Sequence, residues 1–483
     1  MLFGLDLGTS SVKALLLGEN GEALGEGSAS YPVRSPRSGW AESSPEDWWN
    51  AVVEATRAAV GQRGAEVTAL GLSGQMHGVV LTDGRGRPSR PAVLWADTRS
   101  GEQLSAYRGL DEGTRERLAN PPAVGMAGPS LLWLRDREPE EYASARWALQ
   151  PKDWLRLRLT GEAAAEPSDA SATLLYDLHH DDWDHPVVEA LGLRPSLLAP
   201  LVASADVAGT LTREAAESLG LRAGLPVAAG AADSAAAQLG GGLLRPGLVQ
   251  LTVGTGGQIV APKSAPEPDP HLRTHLYRAA APDLWYSMAA IQNAGLALEW
   301  ARRTVGASWD DVYVEAFAVP PGAGGVVFLP YLSGERTPRF DPDARGAWVG
   351  LGLDHGRSHL LRAALEGVAF ALREGLEALE EAGVEAPELR LAGGGSVDER
   401  WRQLLADVLG RPLRVLPGAL AAVASARGAT LLAGGASGVY RSQEGLLALA
   451  PVPARSVRPG GGASGAYEAA YARYRELYPG LYG

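Results

Sequence analysis

The first residues that could do chemistry lie at the start of the chain, in the run Asp6-Leu7-Gly8-Thr9-Ser10-Ser11-Val12-Lys13. A carboxylate, several hydroxyls and a lysine this close together can hold Mg²⁺ and the phosphates of a nucleotide. The run does not match a Walker A motif, and the glycines at 393–395 do not extend into a Rossmann fingerprint. The pattern therefore predicts phosphate chemistry of another type.

A second candidate is Asp233, which lies in Gly230-Ala231-Ala232-Asp233-Ser234 between a predicted strand and a predicted helix of small residues. An acid at such a place is either the N-cap of the helix or a general base that faces a cleft. The small neighbours would let backbone and substrate approach closely. The residues alone leave both interpretations open.

The pair Gly254-Thr255 repeats the pair Gly8-Thr9, and each pair follows one predicted strand and leads into another. Glycine beside a hydroxyl residue lets backbone N–H groups come close to an anion, because no Cβ holds it off. The two pairs are either ordinary hairpin turns or two loops that face each other across a phosphate. In the second case the chain would consist of two halves of like design.

The elements that must position these residues alternate between strands and helices. Strands are predicted at Leu2–Leu7, Ser11–Leu17, Val67–Leu72, Val93–Trp95, Pro226–Ala229, Leu248–Val253 and Leu389–Ala392. Helices are predicted to begin near Pro45, after an N-cap at Ser44, and to cover Trp154–Arg158, Ser234–Leu239, Leu360–Leu379 and Val397–Leu409. Such alternation predicts an α/β architecture with a mixed or parallel sheet.

Composition excludes several classes of protein. The chain of 483 residues is long enough for two or three domains, and its net charge of −12 argues against nucleic acid as a main partner. It contains no cysteine, which excludes disulfides, Cys-ligated zinc and a thiol nucleophile, and fits a cytoplasmic protein. The apolar stretches Leu2–Leu7 and Val227–Leu244 are interrupted by Asp6 and Asp233, so we expect neither a signal peptide nor a membrane span.

A series of motifs along nearly the whole chain resembles the FGGY family of carbohydrate kinases, and within it the xylulokinases. The motifs are Asp6-Leu7-Gly8-Thr9, Gly39-Trp40-Ala41-Glu42, Ser73-Gly74-Gln75-Met76-His77-Gly78, Leu94-Trp95-Ala96-Asp97-Thr98-Arg99, Pro151-Lys152-Asp153, Gly230 to Asp233, Pro330 to Pro338 and Gly393-Gly394-Gly395-Ser396. The run Gln75-Met76-His77-Gly78 is the feature most similar to xylulokinases. Glycerol kinases carry an Arg-Glu pair in that region, and gluconate kinases an Ala-Met-His-Ser run.

The resemblance implies an α/β fold of two actin-like (ribonuclease H-like) ATPase domains with the catalytic cleft between them. The domains would cover residues 1–242 and 243–483, with hinge glycines in the run 240–247. The implied activity is the ATP-dependent phosphorylation of D-xylulose to D-xylulose 5-phosphate, with ATP and Mg²⁺ bound in the cleft. The implied partners are small molecules, and a homodimer stays open.

The resemblance also assigns roles to residues. Asp233 would accept the proton of the sugar hydroxyl, Asp6 would share the catalytic role, and both would lie at the Mg²⁺ ion. Gln75, Met76 and His77 would bind the sugar together with Asp233. The nucleotide would be bound by Gly8, Thr9, Ser10, Ser11, Lys13, Gly254, Thr255, Gly256, Gly295, Glu299, Gly394 and Gly395. Ser396 and Glu399 are predicted to form the capping box of the helix that follows.

Other interpretations stay open at this point. The kinase could act on another ketose or polyol, such as ribulose or glycerol, since Ala96 stands where many xylulokinases have asparagine. An actin-like ATPase or a non-catalytic sugar sensor could share the phosphate loops, but the ATPase would lack the sugar motif at 75–77. The cluster of histidines and aspartates at 179–185 is either a metal site or a solvated loop.

Overall fold

The computed structural model describes residues 1–418, 422–440 and 442–483. The strands are β1 (Leu2–Leu7), β2 (Ser11–Leu17), β3 (Ala23–Ser30), β4 (Glu42–Ser43), β5 (Ala69–Gly74), β6 (Val80–Thr82), β7 (Ala92–Val93), β8 (Trp147–Leu149), β9 (Tyr176–Asp177), β10 (Asp182–Trp183), β11 (Val207–Thr210), β12 (Pro226–Ala228), β13 (Ala231–Ala232), β14 (Val249–Val253), β15 (Gly257–Lys263), β16 (His275–Arg278), β17 (Trp285–Ile291), β18 (Val327–Leu329), β19 (Ala347–Val349), β20 (Leu389–Ala392), β21 (Leu413–Val415) and β22 (Arg455–Val457). The helices are α1 (Pro45–Val60), α2 (Leu104–Arg108), α3 (Glu112–Leu118), α4 (Ala127–Arg137), α5 (Pro139–Ser144), α6 (Pro151–Thr160), α7 (Pro167–Ala170), α8 (His185–Ala190), α9 (Arg213–Leu219), α10 (Asp233–Gly240), α11 (Gly295–Thr304), α12 (Trp309–Ala316), α13 (Arg357–Glu381), α14 (Glu399–Leu409), α15 (Ala424–Ala436), α16 (Gln443–Ala448) and α17 (Ser464–Tyr482).

The predicted α/β class is confirmed, and most predicted elements exist with bounds shifted by a few residues. Strands β1, β2 and β20 have the predicted bounds. Every residue of β1 is buried, as expected for a strand that is paired on both edges and covered on both faces. Helix α1 begins at Pro45 with two acids in its first turn, and it buries Trp48, Val52 and Ala55 against the first sheet.

The first half of the chain forms a mixed sheet in the order β11-β12-β5-β1-β2-β3, and β13 also pairs with β5. Strands β1, β2 and β3 form an antiparallel meander, whereas β5 and β12 continue the sheet in parallel to β1. Because the parallel strands end at the same edge, the residues that follow β1, β5 and β13 are brought together there.

The second half forms a sheet in the order β16-β17-β15-β14-β20-β21-β22, and its pairing pattern repeats that of the first. Strands β14, β15 and β17 form an antiparallel meander, and β20 and β21 follow in parallel to β14. Long helix α13 covers one face of this sheet. The repeat of the Gly8-Thr9 pair as Gly254-Thr255 therefore corresponds to two sheets of like topology.

Helices α10 and α15 join the two halves by packing tightly against each other. A Cβ added to Gly428 of α15 would lie 1.9 Å from the carbonyl oxygen of Ala236 in α10, so only glycine fits there. Although α15 follows the second sheet in sequence, it packs on the first: an added Cβ at Gly71 of β5 would lie 1.9 Å from the carbonyl oxygen of Ala429. The chain therefore returns to its first sheet after completing most of its second.

One capping prediction is wrong. Helix α14 begins at Glu399 with Asp398 as its N-cap, whose side chain accepts hydrogen bonds from the backbone N–H groups of Arg400 and Trp401. Ser396 instead belongs to a 3₁₀ turn that follows β20. Both residues are good N-caps, and the extra turn of Gly394 to Ser396 displaces the start of the helix. Among the helices of the described residues, none combines the length and the apolar composition that crossing a bilayer requires.

Candidate active site

Asp6 lies near the end of β1, buried beneath the turn that joins β1 to β2. Strand register sets Ser73 of β5 on one side of it and Lys13 of β2 on the other. The Ser73 hydroxyl donates a hydrogen bond of 3.1 Å to the Asp6 carboxylate. Burial raises the pKa of Asp6, although the Ser73 hydroxyl and the Lys13 charge oppose the shift. The Ser73 hydroxyl and the Lys13 charge only partly offset the cost of burying this carboxylate. A cation bound beside it would therefore be stabilised.

Asp233 is the first residue of α10, directly after β13, which pairs with the end of β5. The N-cap of the helix is Ala232, so the interpretation of Asp233 as the N-cap is wrong. Burial raises the pKa of Asp233 to about 7, and the neighbouring Asp6 carboxylate adds to this effect. A carboxylate with a pKa near the working pH suits a general base. The sheet therefore brings together the two acids that the sequence singled out.

The first hairpin turn, Gly8–Ser11, is held by side chains as well as by its own backbone. The Gly8 N–H donates to the Ser11 carbonyl at 3.0 Å, and the Gly8 carbonyl accepts hydrogen bonds from the Tyr31 hydroxyl and, at 3.2 Å, from the Gln75 amide. The Thr9 hydroxyl accepts from the Trp95 indole at 2.9 Å. These contacts fix a turn over Asp6 whose hydroxyls and backbone N–H groups can meet an anion.

Lys13, on β2, faces the second half of the molecule. Its ammonium group donates a hydrogen bond of 2.7 Å to the Ala422 carbonyl. The same charge acts on Asp6, opposing the rise of its pKa. Lys13 therefore lies between the Asp6 carboxylate and the start of α15. Its charge can stabilise a bound anion, and its hydrogen bond to Ala422 depends on the distance between the halves.

The loop after β5 contains Gln75, Met76 and His77, and the backbone of His77 is unusual. His77 has a φ of 68°, a left-handed conformation that is uncommon outside glycine and is often found at functional sites. Its Nδ1 lies 2.8 Å from the Ala172 carbonyl, which can only accept, so Nδ1 carries the proton and Nε2 is left as an acceptor. Burial lowers the pKa of His77 to about 4, and the Arg336 charge adds to this effect. The neutral ring can therefore accept a hydrogen bond from a sugar hydroxyl.

The wall opposite this loop comes from β16 and β17 of the second sheet, which the sequence did not mark as functional. Met76 packs in one cluster with Tyr277 and Tyr286, and the rings of His77 and Tyr277 lie 6.2 Å apart. The hydroxyls of Tyr277 and Tyr286 and Nδ1 of His275 are buried without a hydrogen-bond partner among the described residues. Buried polar atoms are rarely left unpaired unless a ligand or water completes them. These unpaired polar atoms mark the contact between the two halves beside Met76 and His77 as a place where a polar ligand could bind.

Alternation in β16 could have pointed to this wall, since the polar and aromatic residues His275 and Tyr277 are two positions apart and share one face of the strand. The same pattern is equally typical of a strand that packs in a core. Only the juxtaposition with Met76 and His77 distinguishes the two, and that contact joins residues far apart in the chain.

A larger cavity of about 800 Å³ lies in the second half. It is lined by six of the residues that the sequence assigned to the nucleotide: Gly254, Thr255, Gly295, Glu299, Gly394 and Gly395. Two aromatic residues also line it, Trp309 and Tyr313 of α12, whose rings are stacked with centroids 6.2 Å apart. The sequence analysis missed this pair, although aromatic residues four apart on a partly exposed helix are a signal that could have found it.

The second hairpin turn, Gly254–Gly256, is held by backbone contacts to the start of α11. The N–H groups of Gly295 and Leu296 donate to the carbonyls of Gly254 and Thr255, each at 2.9 Å. A Cβ added to Gly295 would lie 2.4 Å from the Gly254 carbonyl oxygen, so the close approach requires glycine. Glu299, one turn further along α11, forms an ion pair of 2.6 Å with Arg302, which lowers its pKa.

A gap separates the two halves beside Asp233. The cavity there has a volume of about 230 Å³ and lies between α10 and the face of the second sheet that carries Gln250, Thr252 and Gln258. The side-chain oxygens of Gln238 and Gln250 are buried at this gap without a partner among the described residues. Polar walls and incomplete pairing are typical of surfaces that move relative to each other.

The cluster at 179–185 is engaged in local contacts. Asp177 accepts hydrogen bonds from the backbone of His179 and from both the backbone and the ring of His180. Asp184 caps α8 through the Val187 N–H. Asp181 forms an ion pair of 2.7 Å with Arg278. Asp181 and Asp184 are therefore both engaged by groups of the protein itself.

Comparison with known proteins gives matches along nearly the whole chain. The N-terminal domain of the FGGY family of carbohydrate kinases matches residues 1–240, and the C-terminal domain of that family matches residues 249–437. The xylulose kinase of Escherichia coli (strain K12) is 36% identical over 483 residues, which is 100% of this chain and 99% of that protein. The xylulose kinase of Bacillus subtilis (strain 168) is 34% identical over 449 residues, covering 92% of this chain and 89% of its own.

Solved structures agree with these matches. The crystal structure of a xyloylose kinase from Brucella ovis superimposes with a TM-score of 0.92 at 37% identity and covers 99% of both chains. The likeness therefore extends over both sheets and over the site between them.

Proposed function

Because the chain belongs to the FGGY family of carbohydrate kinases, we propose that it phosphorylates D-xylulose with ATP to give D-xylulose 5-phosphate and ADP. Its fold is that of the actin-like (ribonuclease H-like) ATPases, with two α/β domains. The observation that carries the proposal is the buried pair Asp6 and Asp233, which lies where the polar pocket beside His77 meets the phosphate turns. The likeness to relatives named xylulose kinase supports the choice of sugar.

Asp233 is the proton acceptor in this proposal. As O5 of the sugar attacks the γ-phosphorus, its proton passes to the Asp233 carboxylate, the new O5–P bond forms, and the bond between the γ-phosphorus and the β-phosphate oxygen breaks. A pKa of about 7 gives the carboxylate enough basicity to accept the proton and leaves a large fraction of it ionised at neutral pH. Burial, which raises this pKa, also excludes water from the reacting hydroxyl.

The sugar would be held by the pocket between the halves. Gln75 already holds the first phosphate turn through the Gly8 carbonyl, Met76 supplies an apolar wall, and His77 offers Nε2 as an acceptor. The orphaned hydroxyls of Tyr277 and Tyr286 would complete the hydrogen bonds of a polyhydroxyl ligand.

The nucleotide would lie across the two hairpin turns. The β- and γ-phosphates would meet Gly8, Thr9, Ser10 and Ser11 on one side and Gly254, Thr255 and Gly256 on the other, with Lys13 neutralising charge. The adenosine would occupy the cavity of about 800 Å³ beside Gly295, Glu299, Gly394 and Gly395. Stacking on Trp309 and Tyr313 would favour a planar base over a sugar in that cavity.

The residues present also fit a magnesium ion. Asp6, with Asp233 beside it, offers the hard carboxylate oxygens that Mg²⁺ prefers, and mutual repulsion of the two buried acids would be relieved by a cation. When bound, the ion would neutralise charge on the transferring phosphoryl group. Asp6 would hold it through water or directly, together with phosphate oxygens.

We propose that the two domains, residues 1–242 and 243–483, close on the substrates. The glycines at 240–242 follow α10 without a long connection, and the polar gap of about 230 Å³ beside Asp233 gives room for the movement. Closure would exclude water from the phosphoryl group. The cytoplasmic location expected from the sequence stays a prediction.

The experiment that tests the activity is a coupled assay of ADP formation with D-xylulose, L-ribulose, glycerol and gluconate as acceptors. We expect kcat/KM to be highest for D-xylulose by at least about tenfold, because a pocket of buried polar groups rejects ligands that leave those groups unpaired. A higher kcat/KM with any of the other acceptors would contradict the proposed sugar. ADP formation that no acceptor stimulates would contradict a sugar kinase.

A further inference from the structure

The segment Ser333-Gly334-Glu335-Arg336-Thr337-Pro338 belongs to the second half but reaches the sugar pocket. The Thr337 N–H and hydroxyl are hydrogen bonded to the backbone of Ala290 in β17, and the Asn293 amide donates to the Gly334 carbonyl at 2.6 Å. The segment is therefore fixed to β17 and to the chain that leads from β17 into α11, whose start contacts the second hairpin turn. It presents Arg336 toward the first half.

Arg336 has an unusual environment for a largely buried cation. Its guanidinium group lies over the Trp95 ring, 5.4 Å from the ring centroid, and burial lowers its pKa. Among the described residues, none accepts a hydrogen bond from this guanidinium. Nearby arginines of the same stretch are paired, since Arg339 binds Glu374 and Arg345 binds the Pro342 carbonyl.

An unpaired guanidinium is costly to bury because its N–H groups lose water and the group cannot give up its proton. In the free protein the side chain of Arg336 is partly exposed, so water can supply acceptors, and a ligand that displaces this water has to supply them instead. The Arg336 charge lowers the pKa of His77 and of His275, whereas the charge that raises the pKa of Asp233 is that of Asp6. Arg336 thus lies over Trp95 of the first half and close enough to His77 and His275 for its charge to act on both rings.

The chemistry of the proposed substrate determines which hydrogen-bond acceptor it offers to Arg336. A 2-ketopentose forms a five-membered ring only through its O5 atom, so a sugar that is phosphorylated at O5 must bind in the open-chain form. Its C2 carbonyl oxygen is then free, and a carbonyl oxygen can only accept. His77 presents an acceptor at Nε2 and suits a hydroxyl, but the carbonyl requires a donor.

We propose that Arg336 binds the sugar by donating hydrogen bonds to the C2 carbonyl oxygen of the open-chain ketose. The inference rests on the proposed function and adds to it a specificity residue supplied by the second half. Gln75, Met76 and His77 come from the first half. Arg336, like the Tyr277 and Tyr286 hydroxyls, comes from the second, so full sugar affinity depends on both halves.

The test replaces Arg336 by Met, which keeps most of the volume and removes the charge, and uses Arg345→Met as the matched control. Arg345 lies on the exposed side of the same stretch and binds only backbone carbonyls there. We expect Arg336→Met to raise the KM for D-xylulose about 10- to 100-fold, the worth of a hydrogen bond to a charged group. The KM for ATP and the slow hydrolysis of ATP without sugar should change less than about twofold, since neither involves the carbonyl.

Three further readouts separate a binding role from a structural one. Without ligand, Arg336→Met should melt at or above the temperature of the wild type, because an unpaired buried charge has been removed, but D-xylulose should no longer raise its Tm. Added guanidinium ion should partly restore the activity of Arg336→Ala. Xylitol, which has a hydroxyl in place of the carbonyl, should lose less affinity than D-xylulose in the Met variant.

Three results would overturn the role of Arg336. An unchanged KM for D-xylulose would show that no such contact exists, and a parallel loss of sugar-independent ATP hydrolysis would place the guanidinium at the phosphates. A lower Tm without ligand in both Arg336→Met and Arg336→Lys would make it a structural residue. Failure of the wild-type enzyme to phosphorylate D-xylulose would instead overturn the proposed function.

Discussion

The hairpins that begin the two sheets have the same pairing and differ in charge. In the first, β1 and β2 set Asp6 opposite Lys13, two residues before the Gly-Thr pair of the turn. In the second, β14 and β15 set Thr252 opposite Gln258 at the equivalent place. The first hairpin therefore carries two opposite charges below its turn, and the second carries two neutral side chains.

The next parallel strand of each sheet shows the same division. After β5 the loop contains Gln75 to His77, whose side chains face the sugar pocket, whereas after β20 the loop contains Gly394 and Gly395, which offer backbone and space. A duplicated scaffold has thus separated two tasks. In the proposed site the first half would supply Asp6 and Asp233 for the chemistry, and the second would supply the cavity beside Gly394 and Gly395 for a nucleotide.

Among the substitutions that test this comparison, the largest loss of activity should come from Asp233. This residue has no charged counterpart in the described part of the second half. We expect Asp233→Asn to lower kcat about 10²- to 10⁴-fold with little change in the KM for the sugar, because the general base is lost and the shape is kept. Steady-state kinetics of ADP formation would measure it, with Asp182→Asn on the exposed surface as the control. Near-normal turnover of Asp233→Asn would remove Asp233 from the mechanism.

The same variant gives a test of stability against pH in metal-free buffer. Asp233 has a folded pKa of about 7 against an ordinary value of 3.8, so the folded protein binds more protons than the unfolded chain between these values. The wild type therefore loses stability as pH rises through this window, by on the order of 2 to 4 kcal/mol at about 1.4 kcal/mol per pKa unit. Asp233→Asn should be the more stable protein at pH 8 and should lose this advantage near pH 4. A Tm difference that does not vary with pH would contradict the raised pKa.

The second largest loss of activity should come from a substitution of Asp6, and the matched substitution of Thr252 should cause a much smaller loss. Asp6→Asn should lower kcat about 10²-fold and raise the Mg²⁺ concentration needed for half-maximal rate, since one anionic oxygen is removed from a buried site. Thr252→Val, the matched change in the second hairpin, should alter kcat less than about threefold. Titration of the rate with Mg²⁺ measures both variants. Equal losses would mean that the two hairpins share the charged role.

A smaller effect should come from adding a side chain in the cavity proposed for the nucleotide, at Gly394. A Cβ at Gly394 would meet no protein atom within 4 Å, so Gly394→Ala should leave the Tm unchanged or slightly higher. If adenosine uses that space, the KM for ATP should rise about tenfold while the KM for D-xylulose stays the same. Gly465→Ala, at another open glycine near the start of α17, is the control. An unchanged KM for ATP would move the nucleotide away from Gly394.

The sequence could predict the parts of the site whose contacts join residues that are close together in the chain. Strands β1 and β2 and their turn are neighbours in the chain, and their bounds were predicted correctly. The pairing of Asp6 with Asp233 was out of reach of spacing alone, because it depends on β13 joining β5. Motif resemblance supplied that link by naming both residues as parts of one site.

The wall of the pocket could not be predicted for a related reason. His275, Tyr277 and Tyr286 occupy strands whose alternation is equally typical of a core, and their unpaired polar atoms become visible only when the halves are brought together. Arg336 lies in a recognised motif, but nothing local says that its guanidinium lacks an acceptor. The choice of Asp398 over Ser396 as a helix cap likewise depends on the glycine turn before it.

The smallest effect should distinguish the lysine of the first hairpin from an ordinary basic residue. The Lys13 ammonium binds the Ala422 carbonyl across the halves and acts on Asp6, so a compact charge is placed where a planar guanidinium would crowd both. Lys13→Arg should therefore raise the KM for ATP about three- to tenfold, from the loss of roughly one well-placed charged contact, and change the KM for D-xylulose less than twofold. Lys263→Arg, at a lysine bound to the carbonyls of Glu267 and Ala382 away from the site, is the matched control. Equal kinetics of the two variants would show that Lys13 has no special role and that the first hairpin acts through Asp6 alone.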